Sequence, residues 1–219
     1  MIHWLLVAHI IVVGYWLGSE LVINSSFRFA TRDVASPLEA RDRMLQHVMN
    51  TDQHVRFALV LQASLGTILL AAYGWVPGGQ TLMIAAAVLG VFWLGFVEYI
   101  HRVRHSAVGA RLAALDRGSR YVLMGVLLLM SIGVIGGDWP IPLWLRFKFA
   151  AFAGVIATGV LVRLQLIRFF RVWGEMKTDG VTDARNARVS TLENQASFLI
   201  VMIWVFIAII VALSLFKPV

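Results

Sequence analysis

The chain has six histidines and no cysteine. Any metal or cofactor it holds must therefore be bound through nitrogen and oxygen, and disulfides, iron–sulfur clusters and thioether-linked haem are excluded. Two groups of residues have types and spacings that could do chemistry. In the first, Glu98, His101 and His105 are three and four residues apart, so a helix running through them would carry all three on one face. His47 and His54 are seven apart and share a face as well, and Glu20, Asp52 and Glu193 fall near the same boundary. A His/carboxylate set of this kind suits iron, zinc or manganese, and Glu-x-x-His is half of the di-iron signature of helical bundles, although only one copy occurs here. The plainer reading is that His101 and His105 face a helix C-terminus or lipid phosphates, with Arg102 and Arg104 anchoring beside them. In the second group, His9, Arg146 and Lys148 lie inside apolar runs, where an ionisable side chain is costly and so marks a candidate site. The plainer reading has His9 bonding a neighbouring helix and Lys148 reaching outward to headgroups.

The elements that position these residues follow from composition. At 219 residues, 59% hydrophobic and 14% charged, with a mean hydropathy of +0.79, the chain is far more apolar than a water-soluble domain. Six apolar runs, at about residues 4–23, 55–75, 81–100, 120–137, 143–165 and 196–216, approach the roughly 20 residues a helix needs to cross a bilayer. The fold class is all-α: a polytopic membrane helix bundle of about six transmembrane helices, with residues 1–219 forming a single membrane domain. The N-terminal Met1-Ile2-His3-Trp4 lacks the positive region of a cleavable signal peptide, so the first run is expected to stay.

The connections at residues 76–80 and 136–140 carry no Lys or Arg, whereas the other three are rich in arginine. The positive-inside rule then places the basic connections in the cytoplasm and both termini outside. The net charge of +7 is accounted for by this bias, and nucleic-acid binding is set aside. Helical extensions are expected on the cytoplasmic side. Ser36-Pro37-Leu38-Glu39 reads as an N-cap, a first-turn proline and a capping-box glutamate, so the second helix should start well below the membrane. The third helix is expected to continue through residues 98–116, weakened only at Gly109. Counted along helices at about 1.5 Å per residue, His9 and Lys148 share a level in the outer third, while His54 and His101 share one at the inner boundary.

His9-Ile10-Ile11-Val12-Val13-Gly14-Tyr15-Trp16-Leu17-Gly18 resembles the first-span pattern of the HemJ-type protoporphyrinogen oxidases and the copper resistance protein D-like membrane proteins. Trp144-Leu145-Arg146-Phe147-Lys148 is similar to the Trp-Leu-x-x-Lys that opens a later span of the HemJ type, and the segment with Glu193-Asn194-Gln195 is similar in layout. Together these pieces cover about a third of the chain. The resemblance implies a b-type haem beside His9 and Lys148, with His9 an axial ligand, Lys148 a second ligand or the partner of a propionate, and Arg146 assisting. The HemJ type also carries an Arg and a His near the inner end of its first span and a His about ten positions after the Lys. Here Asn24-Ser25-Ser26 and Thr158 stand in those places, which points to a shared fold with altered chemistry.

The expected function is a membrane redox protein that holds haem b and works in electron transfer or in oxidation of a lipophilic substrate, a quinone included. One alternative is a metal-dependent membrane enzyme with iron or zinc at Glu20, His47, His54, Glu98, His101 and His105. Another is a non-enzymatic accessory or transport subunit. Membrane lipids, a homo-oligomer or a larger membrane complex are the expected partners, and a bacterial inner (cytoplasmic) membrane the expected location. No glycine-rich phosphate loop, nucleophile elbow or cofactor fingerprint occurs.

Overall fold

The computed structural model describes residues 2–104 and 106–217. Those residues form six helices and no strand: α1 (Ile2–Arg32), α2 (Leu38–Ala72), α3 (Gly79–Arg102), α4 (Ala107–Ser131), α5 (Leu143–Asp179) and α6 (Asp183–Phe216). Five of them, all but α4, are long and apolar enough to cross a membrane. The connections are short, so successive helices run up and down. Each packs on its chain neighbours, and α1 closes on α6 to complete a ring, whose lightest seam is α3 against α4. One end of the ring carries the two turn-like connections after α2 and α4, and α1, α2, α5 and α6 extend well past α3 at the other.

The interior faces follow helical periodicity. On α1 the buried residues include Val12, Trp16, Glu20, Asn24, Phe27 and Thr31, one every three or four positions, with Ala30 beside the last. The outward faces are apolar: Ile11, Val88, Val91, Phe92, Val122 and Phe198 are all exposed, as a bilayer-facing surface requires. Small residues bring helices close. A Cβ at Gly154 of α5 would come within 2.7 Å of the Phe206 ring on α6, and one at Gly90 of α3 would collide with Ser64 of α2.

The long extensions have a core of their own. Phe27, Leu45, Val48, Phe169, Trp173, Met176 and Val189 are almost fully buried there, with Phe169 and Trp173 stacked at 5.7 Å. Buried charges are paired around it. Arg41, 3% exposed, donates from Nε to the Ala30 carbonyl and from Nη2 to the Thr31 carbonyl, both at 2.9 Å, and so closes the C-terminal end of α1. Its guanidinium lies 5.0 Å from the Trp173 ring centre. Glu193, fully buried on α6, accepts from Nε and Nη2 of Arg32, each at 3.1 Å, and from Ser197 at 2.9 Å.

Three sequence expectations change here. Ser36 does not cap α2: Pro37 occupies the N-cap without a side-chain bond, and the Ser36 hydroxyl donates to Asp33 Oδ2 at 2.5 Å. The early start of α2 at Leu38 stands. The third helix stops at Arg102, and α4 begins at Ala107 with the Ser106 hydroxyl accepting from Gly109 N at 3.0 Å. A Cβ at Gly109 would run into the Val103 carbonyl, so this glycine permits the sharp turn that parts α3 from α4. Finally, α4 ends at Ser131 rather than near residue 137, because Gly133 and Gly136 take φ values of +79° and +68°. Above Arg120 only about 11 residues of α4 are apolar, roughly 17 Å of helix, which is short of the ~30 Å hydrocarbon core.

Candidate functional site

The ring interior has two polar levels separated by an apolar plug. At the outer level, His9 of α1 faces α2, where Gly66 leaves room beside its ring: a Cβ there would stand 3.6 Å from Cε1. Gln62, one turn away on α2, lies against the imidazole, and Lys148 of α5 is close enough to act on it electrostatically. His9 Nδ1 and Gln62 Oε1 are both shut away from solvent and make no hydrogen bond of full geometry, although the Gln62 side chain acts on the ring as a hydrogen-bonding neighbour. Lys148 is held in place by donating from Nζ to the Ser214 hydroxyl of α6 at 2.8 Å, and Ser214 in turn donates to the Ile210 carbonyl at 2.7 Å. Level counting thus brought together two residues 139 positions apart. Arg146 faces elsewhere. Its guanidinium donates to the Met130 carbonyl at 3.0 Å and to the Gly136 carbonyl at 2.9 Å, tying the end of α4 and its turn to α5.

The plug consists of Val12, Trp16, Ala58, Val155, Ile203 and Ile207, with Trp16 meeting Phe152 edge-on at 6.4 Å. Beneath it lies a chamber of about 410 Å³ bordered by every helix except α3. Its wall includes three carboxyl groups, Glu20, Asp52 and Asp116, and four guanidinium groups, Arg56, Arg117, Arg120 and Arg163. Arg56 pairs with Asp52 at 3.1 Å and Arg120 with Asp116 at 2.8 Å. Glu20 accepts a single long bond from the Trp16 indole at 3.3 Å. Arg163 lies within electrostatic reach of Asp52, Arg56, Arg117 and Arg120. Among the described residues no ion pair or hydrogen bond holds its guanidinium. Sequence reasoning put Glu20 and Asp52 near this level but missed the arginines and Asp116 that complete it. Their signal was Arg163 inside the apolar run 143–165, together with the four-residue spacings Asp52/Arg56 and Asp116/Arg120.

The inner-boundary metal set is not assembled. Among the described residues no three His, Asp or Glu side chains are placed to hold a metal ion. Glu20 faces the chamber. His54, two residues beyond Asp52 and so about 200° further round α2, lies on the exposed side and pairs through Nδ1 with the Tyr15 hydroxyl at 2.7 Å. His47 is exposed. Glu98 accepts from Arg102 Nε at 2.7 Å, and the His101 ring sits 3.3 Å from Arg104 Nη1. The helical face of Glu98 and His101 ends with α3 at Arg102, short of His105, which lies outside the described residues. Levels were counted correctly to within about a residue, since Gly90 of α3 stands against Ser64 of α2 and Arg104 Nη1 donates to Asn50 Oδ1 at 3.0 Å. The faces were not.

In comparisons with known proteins, no family model, curated protein or solved structure matches the chain.

Proposed function

We propose that the chain is an integral-membrane redox protein that crosses the bilayer six times, with both termini outside, and holds its centre at His9 in the outer half of the ring. The location this implies is a bacterial inner membrane. The group suggested by the HemJ-type resemblance is a b-type haem, and the residues at the outer level suit it. The observation that carries the reading is the His9 ring enclosed beside Gln62 and Lys148, its buried Nδ1 without a hydrogen bond of full geometry. A buried polar atom left unsatisfied is uncommon in native proteins and asks for an explanation, such as a bound group. When bound, the haem would supply one-electron chemistry for transfer to, or oxidation of, a lipophilic substrate such as a quinone.

The chain's own residues then have definable tasks. His9 offers an imidazole nitrogen as ligand. Lys148, fixed by Ser214, places a cation or a neutral amine beside it. The plug around Trp16 and Val155 keeps water from rising out of the chamber. Six crossings are favoured by the inverted pattern of α4, which turns Tyr121, Val122, Val126 and Leu129 outward and Asp116 inward.

An optical spectrum of the full chain purified in mild detergent tests the reading. A Soret band in the wild type that disappears in His9→Ala, with helical content unchanged, is expected. A colourless wild type, or a band untouched by His9→Ala, overturns it.

A further inference from the structure

The chamber under the plug has a basic lower wall and an apolar upper one. Trp16, Val155, Ile156, Val160, Ile200 and Ile203 line the part nearest the bilayer centre, and the four arginines line the part nearest the extensions. It exists because α4 packs on α5 only through its outer half, where Leu127 and Met130 meet Leu145, Phe149 and Ala153. Lower down, the chamber lies between them, and exposed Arg117 and Tyr121 of α4 and Leu164 and Ile167 of α5 stand at its edge. With apolar Leu164 and Ile167 on one side and Arg117 and Tyr121 on the other, the opening has the mixed character of the membrane–water boundary.

The charges in the chamber do not cancel. Two of the four guanidinium groups are matched by Asp52 and Asp116. Arg117 and Arg163 are left, opposed only by Glu20, which sits on the far side against Trp16. Arg117 is exposed at the chamber edge, but Arg163 stands half-buried within the bundle with no carboxylate bonded to it, and a guanidinium so placed is unfavourable unless something else supplies the negative charge. Guanidinium groups pair with phosphate or carboxylate oxygens through two parallel N–H donors, so an oxyanion is the matching chemistry. The apolar upper wall adds that this oxyanion carries a hydrocarbon chain.

We propose that the chamber is a binding site for an anionic amphiphile, a molecule with a phosphate or carboxylate head seated between Arg163 and Arg117 and an apolar chain lying beneath Trp16 along Val155, Val160 and Ile203. It enters sideways between the lower halves of α4 and α5. The site is independent of any group at His9, because the plug separates the two levels.

The test is a titration of the detergent-purified full chain with the fluorescent fatty acid cis-parinaric acid. Saturable binding is expected, weakened at least tenfold by Arg163→Gln and unchanged by Arg111→Gln, whose side chain is exposed and outside the chamber. A second variant leaves every arginine in place: a Cβ at Gly159 meets open space, so Gly159→Leu fills the chamber and should also weaken binding. Competitors separate the sources of the anion. Lysophosphatidic acid should displace the probe, whereas lysophosphatidylcholine and inorganic phosphate should not. Displacement by inorganic phosphate alone would show a site for free anions and overturn the amphiphile assignment. No saturable binding by the wild type, or equal binding by both variants, would overturn the site itself. Loss of the probe in Arg163→Gln with retention of the spectrum that His9 governs would show that the two levels stand apart.

Discussion

Arginine plays opposite roles in the two halves of this bundle, and the difference lies in what each guanidinium meets. Arg41 is buried but saturated by two backbone carbonyls and an indole face. Removing it would strand two carbonyls at the end of α1. Charged hydrogen bonds are worth roughly 1.5–3 kcal/mol each and orphaned buried acceptors about 1–3, so Arg41→Ala is expected to destabilise the fold by about 3 kcal/mol, read as a lower midpoint of thermal unfolding in detergent. Glu193→Ala removes the anion between Arg32 and Ser197. Because the arginine is half-exposed, the expected loss is smaller than the ~3–5 kcal/mol of a fully buried pair, about 2 kcal/mol by the same assay. His9 and Lys148 were legible in the sequence because an ionisable residue in an apolar run stands out and its depth can be counted. Arg163 also lay in such a run, but two residues from its end, where it passes for a side chain reaching to the interface. What it lacks is a partner, and that shows only when five helices are set around it.

At the scale of elements, the helix termini were the hardest part to foresee. The start of α2 was legible within one residue, since Pro37 suits a helix start. The break between α3 and α4 was not: a glycine inside an apolar, arginine-rich stretch reads as a weak helix position, and only the approach of the Val103 carbonyl reveals its task. Gly109→Val should therefore disturb the turn and loosen α4, seen as faster amide hydrogen exchange in residues 107–116 than in α5. The α5–α6 seam makes a parallel demand. Gly154→Leu would drive a side chain into Phe206. Overpacking of this kind costs about 1–3 kcal/mol, and the expected outcome is a lower yield of folded protein from the membrane and a lower unfolding midpoint. Helix α4 was read from the sequence as a full span. Asp116 and Arg120 of its charged half face the chamber while Arg111 and Arg117 stay exposed, so its apolar length falls short of a full span.

For the whole molecule, the ring in chain order was implicit in the short connections, which make each helix the neighbour of the next. Its closure of α1 on α6 was not, because no local signal in either helix names the other. The same gap explains the metal set: counting residues from a turn gives height along a helix but not the direction a side chain takes, so Glu20 and His54 were assigned to one site and face different ways. In the proposed topology the His9 level lies in the outer half of the membrane and the arginine chamber in the inner half. Since the chain has no cysteine, single cysteines introduced at exposed Gln80, Asp138, Val34 and Val181 can be probed in intact cells with a membrane-impermeant maleimide. Gln80→Cys and Asp138→Cys should react from outside, and Val34→Cys and Val181→Cys only after the membrane is opened. The reverse pattern, or two positions at one end of the ring reacting from opposite sides, would contradict the account.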